Sequence, residues 1–284
     1  VSLANPDRWL TSVFGGEETS SGIPVDESKA LQLSAVYACV RVLSETLASL
    51  PLPVYRRLTP RGKARAPDHS LFEILHDRAN PDMTSVTFRE TLMAHVVLWG
   101  NGYAEIERDR AGRVISLWPL LPDRTWPVRK DKILRYITRV GTEEITLPSD
   151  RVLHIPGLGF DGLRGYSPMT LHRQAVGLGL AGEEFGARFF GSGARPSGVL
   201  EFDGKFPDQA SREAFREQFA AVQQGLGNAH RTAVLEAGMK WHQTSIPPND
   251  AQFLETRQFQ VREIARIFRV PPHLIGDLDN ATFS

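Results

Sequence analysis

The chain has one cysteine, Cys39, among 284 residues. That count excludes a disulfide framework within the chain and a thiolate metal cage. Cys39 sits among apolar residues at helical spacing and reads as a buried, inert thiol, not as a nucleophile. An excess of charge is also missing, because Lys and Arg number 33 and Asp and Glu number 33. Tight, non-specific gripping of DNA draws its strength from phosphate-neutralising cations, so a balanced chain suits it poorly. No apolar run approaches the ~20 residues of a membrane helix, and the first residues carry no signal-peptide pattern. An intracellular protein without a membrane anchor is expected, and the start at Val1 reads as that of a trimmed chain or of its ordered part alone.

Catalytic and metal motifs are lacking as well. The eight histidines show no ligand spacing, and there is no His-Glu-x-x-His pair, Gly-x-Ser-x-Gly elbow or phosphate loop. Gly157-Leu-Gly159-Phe-Asp-Gly162 matches the dinucleotide fingerprint by letter. In that fingerprint the glycines open the helix, so that its N-terminus meets the pyrophosphate. Here no helix can begin before Ser167-Pro168, and the ribose-binding acid would fall at Glu183 or Glu184, inside a helix. A glycine-rich connection is the better reading, with a nucleotide-dependent enzyme as the remote alternative. Ser167 before Pro168 fits an N-cap followed by the first helical residue better than a nucleophile. We expect no catalytic residue, no metal site and no cofactor.

What the sequence does contain is helical and strand periodicity in an α+β order. Val1–Lys29 reads as a loosely held arm in which Trp9, Leu10, Val13 and Phe14 can pack on a neighbour. Leu33, Val36, Tyr37, Val40, Leu43, Leu47 and Leu50 recur at helical steps and predict one apolar helix face, stopped by Pro51. Helices are predicted over Ser70–His76 and Ser85–Trp99, the second capped by Thr84 or Ser85 and ended by Gly100. Strands follow at Tyr103–Arg108, Val114–Leu120, Thr125–Arg129, Ile133–Arg139, Glu144–Leu147 and Val152–Ile155. Their short connections favour antiparallel pairing. A later lobe has strands Gly198–Phe202, Thr232–Glu236 and Lys240–Ile246 around a helix near Asp208–Gln224, capped by Asp208 or Ser211.

Two long helical stretches bracket that lobe. Ser167–Phe190 and Asn249–Arg269 would reach roughly 36 Å and 31 Å, so they can lie side by side with 191–248 as a lobe at their far end. Such a layout suits a protein that stacks copies around an axis. The first stretch contains Gly177, Gly179, Gly182 and Gly186, each costing a helix about 1 kcal/mol against Ala. Close approach to another helix would offset that cost; a break near Gly177-Leu-Gly179 is the alternative. The second stretch has an apolar stripe of Phe253, Leu254, Val261, Ile264, Ala265 and Phe268. Arg262, Arg266 and Arg269 form a basic row, read as cations placed near a helix C-terminus or as contacts to a neighbour's acids in preference to contacts with DNA, for which the balanced charge gives little reason.

Several strings in order resemble the portal (head-to-tail connector) proteins of tailed bacteriophages, in the subgroup that accompanies HK-type capsids. They are Leu33-Ser-Ala-Val-Tyr-Ala-Cys-Val-Arg-Val-Leu-Ser-Glu, Gly100-Asn-Gly-Tyr-Ala-Glu-Ile, Trp118-Pro-Leu-Leu-Pro, Gly165-Tyr-Ser-Pro, Phe189-Phe-Gly-Ser-Gly-Ala-Arg-Pro-Ser-Gly-Val-Leu and Ala265-Arg-Ile-Phe-Arg-Val-Pro-Pro-His-Leu-Ile-Gly. The resemblance implies a dodecameric ring at one capsid vertex, in the virion and, during assembly, in the host cytoplasm. Double-stranded DNA would pass through its channel, driven by a separate terminase. The partners implied are further copies of the chain, terminase large subunit, head–tail adaptor proteins and capsid protein. It further implies an N-terminal arm (1–29), a wing domain of antiparallel strands and helices (30–166), a first stem helix (167–190), a small α/β clip insert (191–248), a second stem helix (249–270) and the start of a tunnel loop (271–284). On this reading Gly179, Gly182, Gly186, Arg262, Arg266 and Arg269 lie at the interface between copies, and Asp277, Asp279, Asn280 and Thr282 lie near the channel. A non-channel adaptor or scaffold protein is the alternative from the structural class.

Overall fold

The computed structural model describes residues 19–159, 161–191, 198–201, 204, 206–223, 239–243 and 250–278. These fall into two compact units. One comprises residues up to Gly177 together with the segment from Val261 onward, and the other runs from Leu178 to Gln260.

The first unit begins with packed chain. Thr19 is buried, the Ser20 N–H donates to Gln174 Oε1 at 3.0 Å, and a short helix α1 (Glu27–Ala30) follows, capped by Asp26. The expected loose arm is therefore corrected from Thr19 onward; Trp9, Leu10, Val13 and Phe14 lie outside the described residues. Helix α2 (Ser34–Ser49) buries Ala35, Val36, Cys39, Val40, Ser44 and Ala48. Tyr37, Leu47 and Leu50, placed by periodicity on the apolar face, are exposed. Leu33, Val36 and Val40 of that face are buried as expected, joined by the small residues Ala35, Cys39 and Ala48. Burial raises the Cys39 thiol to about 11, in keeping with an inert role.

A two-stranded hairpin, β1 (Tyr55–Arg57) with β2 (Lys63–Arg65), leads to helix α3 (Ser70–His76). Strands β3 (Arg78–Asn80) and β4 (Met83–Thr84) form a small antiparallel pair before helix α4 (Ser85–Trp99). Thr84 caps α4, and Gly100 ends it at φ +74, the left-handed position that glycine adopts without a Cβ penalty. From α4, Arg89 donates to the Ala48 and Leu75 carbonyls, which lie at the C-terminal ends of α2 and α3. One guanidinium thus satisfies orphan carbonyls of two helices.

Strands β5 (Asn101–Arg108), β6 (Val114–Leu120), β7 (Thr125–Lys130), β8 (Ile133–Val140), β9 (Glu143–Pro148) and β10 (Val152–Pro156) then form two three-stranded antiparallel sheets, ordered β10-β5-β6 and β7-β8-β9. Alternation along β5 builds both cores. Ala104 faces Phe88 and Leu92 of α4, with Leu117 and Leu153 in the same cluster. Tyr103 points the other way and joins Tyr136, Leu147 and Val152. The sheet β10-β5-β6 is thus sandwiched between α4 and the second sheet, as period-two patterning requires when both faces are covered.

After a loop, Ser167 caps the short helix α5 (Pro168–Leu171), with Pro168 at its start. The expected long helix is interrupted at His172, which leaves helical geometry at φ −110 and ψ 23. Helix α6 (Arg173–Gly191) then runs unbroken through Gly177-Leu-Gly179, where the glycines had left a break open. In the second unit, β11 (Gly198–Glu201) pairs antiparallel with β12 (Lys240–Gln243), and between them lies α7 (Gln209–Gln223). The Ser211 N–H donates to Asp208 Oδ1 at 2.7 Å, the expected cap. The expected strand at Thr232–Glu236 lies outside the described residues. Helix α8 (Asp250–Phe268) follows, and Arg269 and Val270 close it. Arg269 adopts φ +55 and the Val270 N–H reaches the Ala265 carbonyl at 2.9 Å, the bond pattern of a Schellman cap. A single turn at Pro272–Ile275 comes next.

Candidate functional site: a glycine junction and a helix pair

The strings Gly100-Asn-Gly-Tyr, Gly157-Leu-Gly159 and Gly165-Tyr-Ser-Pro converge in the first unit, where strand β5, the end of β10 and the entry to α5 meet. A Cβ on Gly100 would lie 2.0 Å from the Tyr166 carbonyl oxygen, and one on Gly165 would lie 2.0 Å from the Gly100 oxygen. Gly159 has the Arg164 oxygen at 2.0 Å in the same sense, and Gly157 the Gly100 oxygen at 3.0 Å. Backbone lies on backbone here, and only glycine permits it. The contacts are hydrogen-bonded: the Gly157 N–H donates to the Gly100 carbonyl and the Tyr166 N–H to the Leu158 carbonyl, each at 2.8 Å.

Asn101 holds the junction shut. Its Nδ2 donates to the Gly165 carbonyl at 2.8 Å and to the Trp99 carbonyl at 3.2 Å. Its Oδ1 accepts from the Gly165 N–H at 2.9 Å and from His154 Nε2 at 3.1 Å. Four bonds satisfy a buried amide side chain completely. Because Gly165 presents both a donor and an acceptor, the amide can face only one way. His154 must then carry its proton on Nε2, which leaves Nδ1 to accept from the Tyr136 hydroxyl at 3.2 Å. Tyr103 stacks on the imidazole with centroids 4.4 Å apart. Burial, reinforced by the Arg164 charge, lowers His154 to about 4, so it is neutral around pH 7.

The entry to α5 is tied down as well. Ser167 Oγ accepts from the Thr170 N–H and lies 3.0 Å from Glu27 Oε1 and 2.9 Å from the Leu98 carbonyl. Burial raises the Glu27 carboxyl. Ser167 is occupied as a cap and as a bridge between Glu27 and the Leu98 carbonyl. His95 on α4 is buried, has no partner for Nδ1 among the described residues, and meets Trp99 edge-on at 5.7 Å. Burial lowers it to about 4.

In the second unit, helices α6 and α8 pair closely. A Cβ on Gly186 would stand 2.8 Å from Cζ of Phe253, and one on Gly182 would stand 3.3 Å from Oε1 of Gln260. Arg257 donates to Glu183 at 3.0 Å. The helix that Gly182 and Gly186 seat against is the chain's own α8, so within-chain packing accounts for both without a second copy. Of the other expected interface residues, Gly179 is buried, while Arg266 and Arg269 are exposed. Leu254, expected in the apolar stripe, is exposed as well, whereas Ile264, Ala265 and Phe268 are buried.

Two expected residues of different roles meet in the first unit. Arg262 donates to both carboxylate oxygens of Asp277, at 2.8 and 3.3 Å, and ties the turn after α8 back to the helix. Asp279, Asn280 and Thr282 lie outside the described residues. Residue-by-residue reading missed Asn101 and Arg89. The one signal for Asn101 was its place between Gly100 and Gly102.

The sequence profile of the family described as phage portal protein matches residues 34–284. The chain belongs to that family. It is 37% identical over 280 residues to the probable portal protein of Streptomyces phage phiC31, covering 94% of this chain and 60% of that one. It is 32% identical over 259 residues to the portal protein of Enterobacteria phage HK97, covering 91% of this chain and 61% of that one. The chain thus spans about three fifths of the length of these relatives. Among solved structures, it is similar to a chain in the neck of an empty gene transfer agent (GTA) particle, with a TM-score of 0.65 and 26% identity over 98% of this chain and 77% of that one. It is also similar to a chain in the neck of a native GTA particle with C12 symmetry, with a TM-score of 0.60 and 25% identity over 97% of this chain and 78% of that one. The mixed helical and antiparallel-strand portal architecture is therefore the fold of this chain.

Proposed function

We propose that the chain is the protomer of a closed ring at a capsid vertex, a passage for double-stranded DNA during packaging and ejection. The observation that carries this reading is the likeness, over nearly the whole chain, to a chain of a GTA particle neck computed with C12 symmetry. On it, residues 30–166 are the wing, 167–190 and 249–270 the stem helices, 191–248 the clip and 271–284 the start of the tunnel loop. Terminase large subunit and head–tail adaptor proteins dock on the clip, and capsid protein surrounds the ring. The chain itself is a conduit and a docking platform, not an enzyme.

Physical features support the reading. Leu254 and Phe259 on α8 and Leu178 on α6 are exposed, which leaves apolar area on both helices that a neighbouring copy would remove from water. In a ring these surfaces join head to tail, one face of a copy meeting a different face of the next. We assign the interface between copies to these three side chains with Arg266 and Arg269. The letter match to a dinucleotide fingerprint is accounted for by the backbone contacts of Gly157 and Gly159, which leave the nucleotide-binding alternative without a specific observation in its favour.

Negative-stain microscopy of the purified chain tests the proposal. Closed rings with a central hole are expected, and Leu254→Glu with Phe259→Glu should leave monomers with unchanged circular dichroism. A monodisperse monomer of the parent at high concentration would overturn it.

A further inference from the structure

The β1–β2 hairpin concentrates charge that the chain as a whole lacks. Between Tyr55 and Arg65 lie Arg56, Arg57, Arg61, Lys63 and Arg65, with no acid among them. Both strands are exposed along their length, and they hydrogen-bond to each other in a sheet of their own. The register sorts the cations. Tyr55 stands opposite Arg65 and Arg57 opposite Lys63, while Arg56 pairs with Ala64 in the row between. Alternation therefore puts Tyr55, Arg57, Lys63 and Arg65 on one face and Arg56 on the other.

The two faces differ in how their charge is satisfied. Arg56 is bonded to Asp68 at 2.6 Å. Among the described residues, Arg57, Arg61, Lys63 and Arg65 have no carboxylate within ion-pair distance. Lys63 Nζ instead lies 4.5 Å from the centroid of the Tyr55 ring, a cation–π contact that keeps the ammonium on the shared face. Like charges directly opposite each other destabilise a hairpin, so folding gives no reason for Arg57 to face Lys63. A polyanion does. Arginine forks bind phosphate oxygens two at a time, and a two-stranded ribbon is of a size that the ~12 Å major groove of B-DNA admits.

We propose that the β1–β2 hairpin is a contact for the phosphate backbone of double-stranded DNA, made by Arg57, Lys63 and Arg65 with Arg61 at the turn. The contact neutralises phosphates and carries no sequence preference. It does not rest on the ring reading: a variant of this face should assemble as the parent does, whatever form that takes.

Fluorescence anisotropy of the full chain with a short labelled duplex, across a salt series, tests the proposal. In the variant R57Q/K63Q/R65Q three phosphate contacts are lost, and the slope of log affinity against log salt should become shallower by about 3. Between roughly 50 and 200 mM salt, the parent's affinity should fall about forty-fold further than the variant's. The variant K130Q/K132Q/R135Q, on the β7–β8 hairpin, should follow the parent. Circular dichroism checks folding, and if the triple variant unfolds, R65Q alone should lower the slope by about 1. No duplex binding by the parent at the lowest salt would overturn the proposal, as would equal slopes in parent and variant or an equal loss in the β7–β8 variant. Tighter binding of poly-glutamate than of the duplex would also overturn it, by assigning the face to an acidic protein.

Discussion

The glycines of the junction and those of the helix pair meet different kinds of neighbour. At Gly100, Gly159 and Gly165 a Cβ would fall 2.0 Å from a backbone carbonyl oxygen, whereas at Gly182 and Gly186 it would meet the far ends of Gln260 and Phe253. A carbonyl fixed in a hydrogen-bonded junction cannot retreat, but the end of a side chain can rotate. The first region is thus a frame that tolerates no change, and the second is an adjustable seam. A frame suits the point where the sheets hand over to α5; a seam suits two helices packed side by side.

The comparison can be broken most forcefully at Gly100. Gly100→Ala adds a left-handed strain at φ +74 to the clash with Tyr166, and a loss of at least about 4 kcal/mol is expected in urea unfolding. A loss below about 1 kcal/mol would show that the frame yields. Next comes Asn101→Leu, which strands the Gly165 N–H and carbonyl and His154 Nε2. Each buried orphan costs about 1–3 kcal/mol, so the expected loss is about 3 kcal/mol or more. Retained stability would mean that water replaces the amide.

Acid acts on the first unit through its buried imidazoles. His95 and His154 both titrate near 4 in the folded chain, against about 6.5 when unfolded. Between these values the unfolded chain binds protons that the folded chain does not, so stability rises with pH there and is lost as pH falls from about 6.5 towards 4. For the deeply buried His95 the loss is on the order of 3 kcal/mol. His95→Leu should flatten that part of the pH profile, and an unchanged profile would count against the burial argument. Smaller effects belong to helix ends and the seam. Arg269→Gly removes a left-handed strain at φ +55 and should raise stability by about 1 kcal/mol in the same urea assay. Gly182→Ala exchanges a 3.3 Å approach to Gln260 for better helix propensity, and should stay within about 1 kcal/mol of the parent. A large loss there would erase the distinction between frame and seam.

What could be read in the sequence follows from how far each signal reaches along the chain. Helix α4 with its Thr84 cap and Gly100 stop, helix α3 and strand β6 are specified by neighbouring residues, and their ends matched. Ser167-Pro168 was legible as a cap for the same reason. Asn101 was not, because its partners His154 and Gly165 lie 53 and 64 residues away. The buried face of α2 was legible in part: Leu33, Val36 and Val40 are buried as their spacing predicts, but periodicity registers apolarity and not size, and Ala35, Cys39 and Ala48 went in while Leu47 and Leu50 stayed out. Gly157-Leu-Gly159 resembled a nucleotide loop because glycine marks any close approach of backbone, whether to a phosphate or to a carbonyl. Only the fold shows that the neighbours here are Gly100 and Arg164.

The unfolding midpoints of Gly165→Ala and Gly186→Ala, measured side by side in urea, test the division most directly. The account predicts that Gly165→Ala is severely destabilised or fails to fold, while Gly186→Ala unfolds near the parent because Phe253 moves aside. Equal midpoints for the two variants would contradict it.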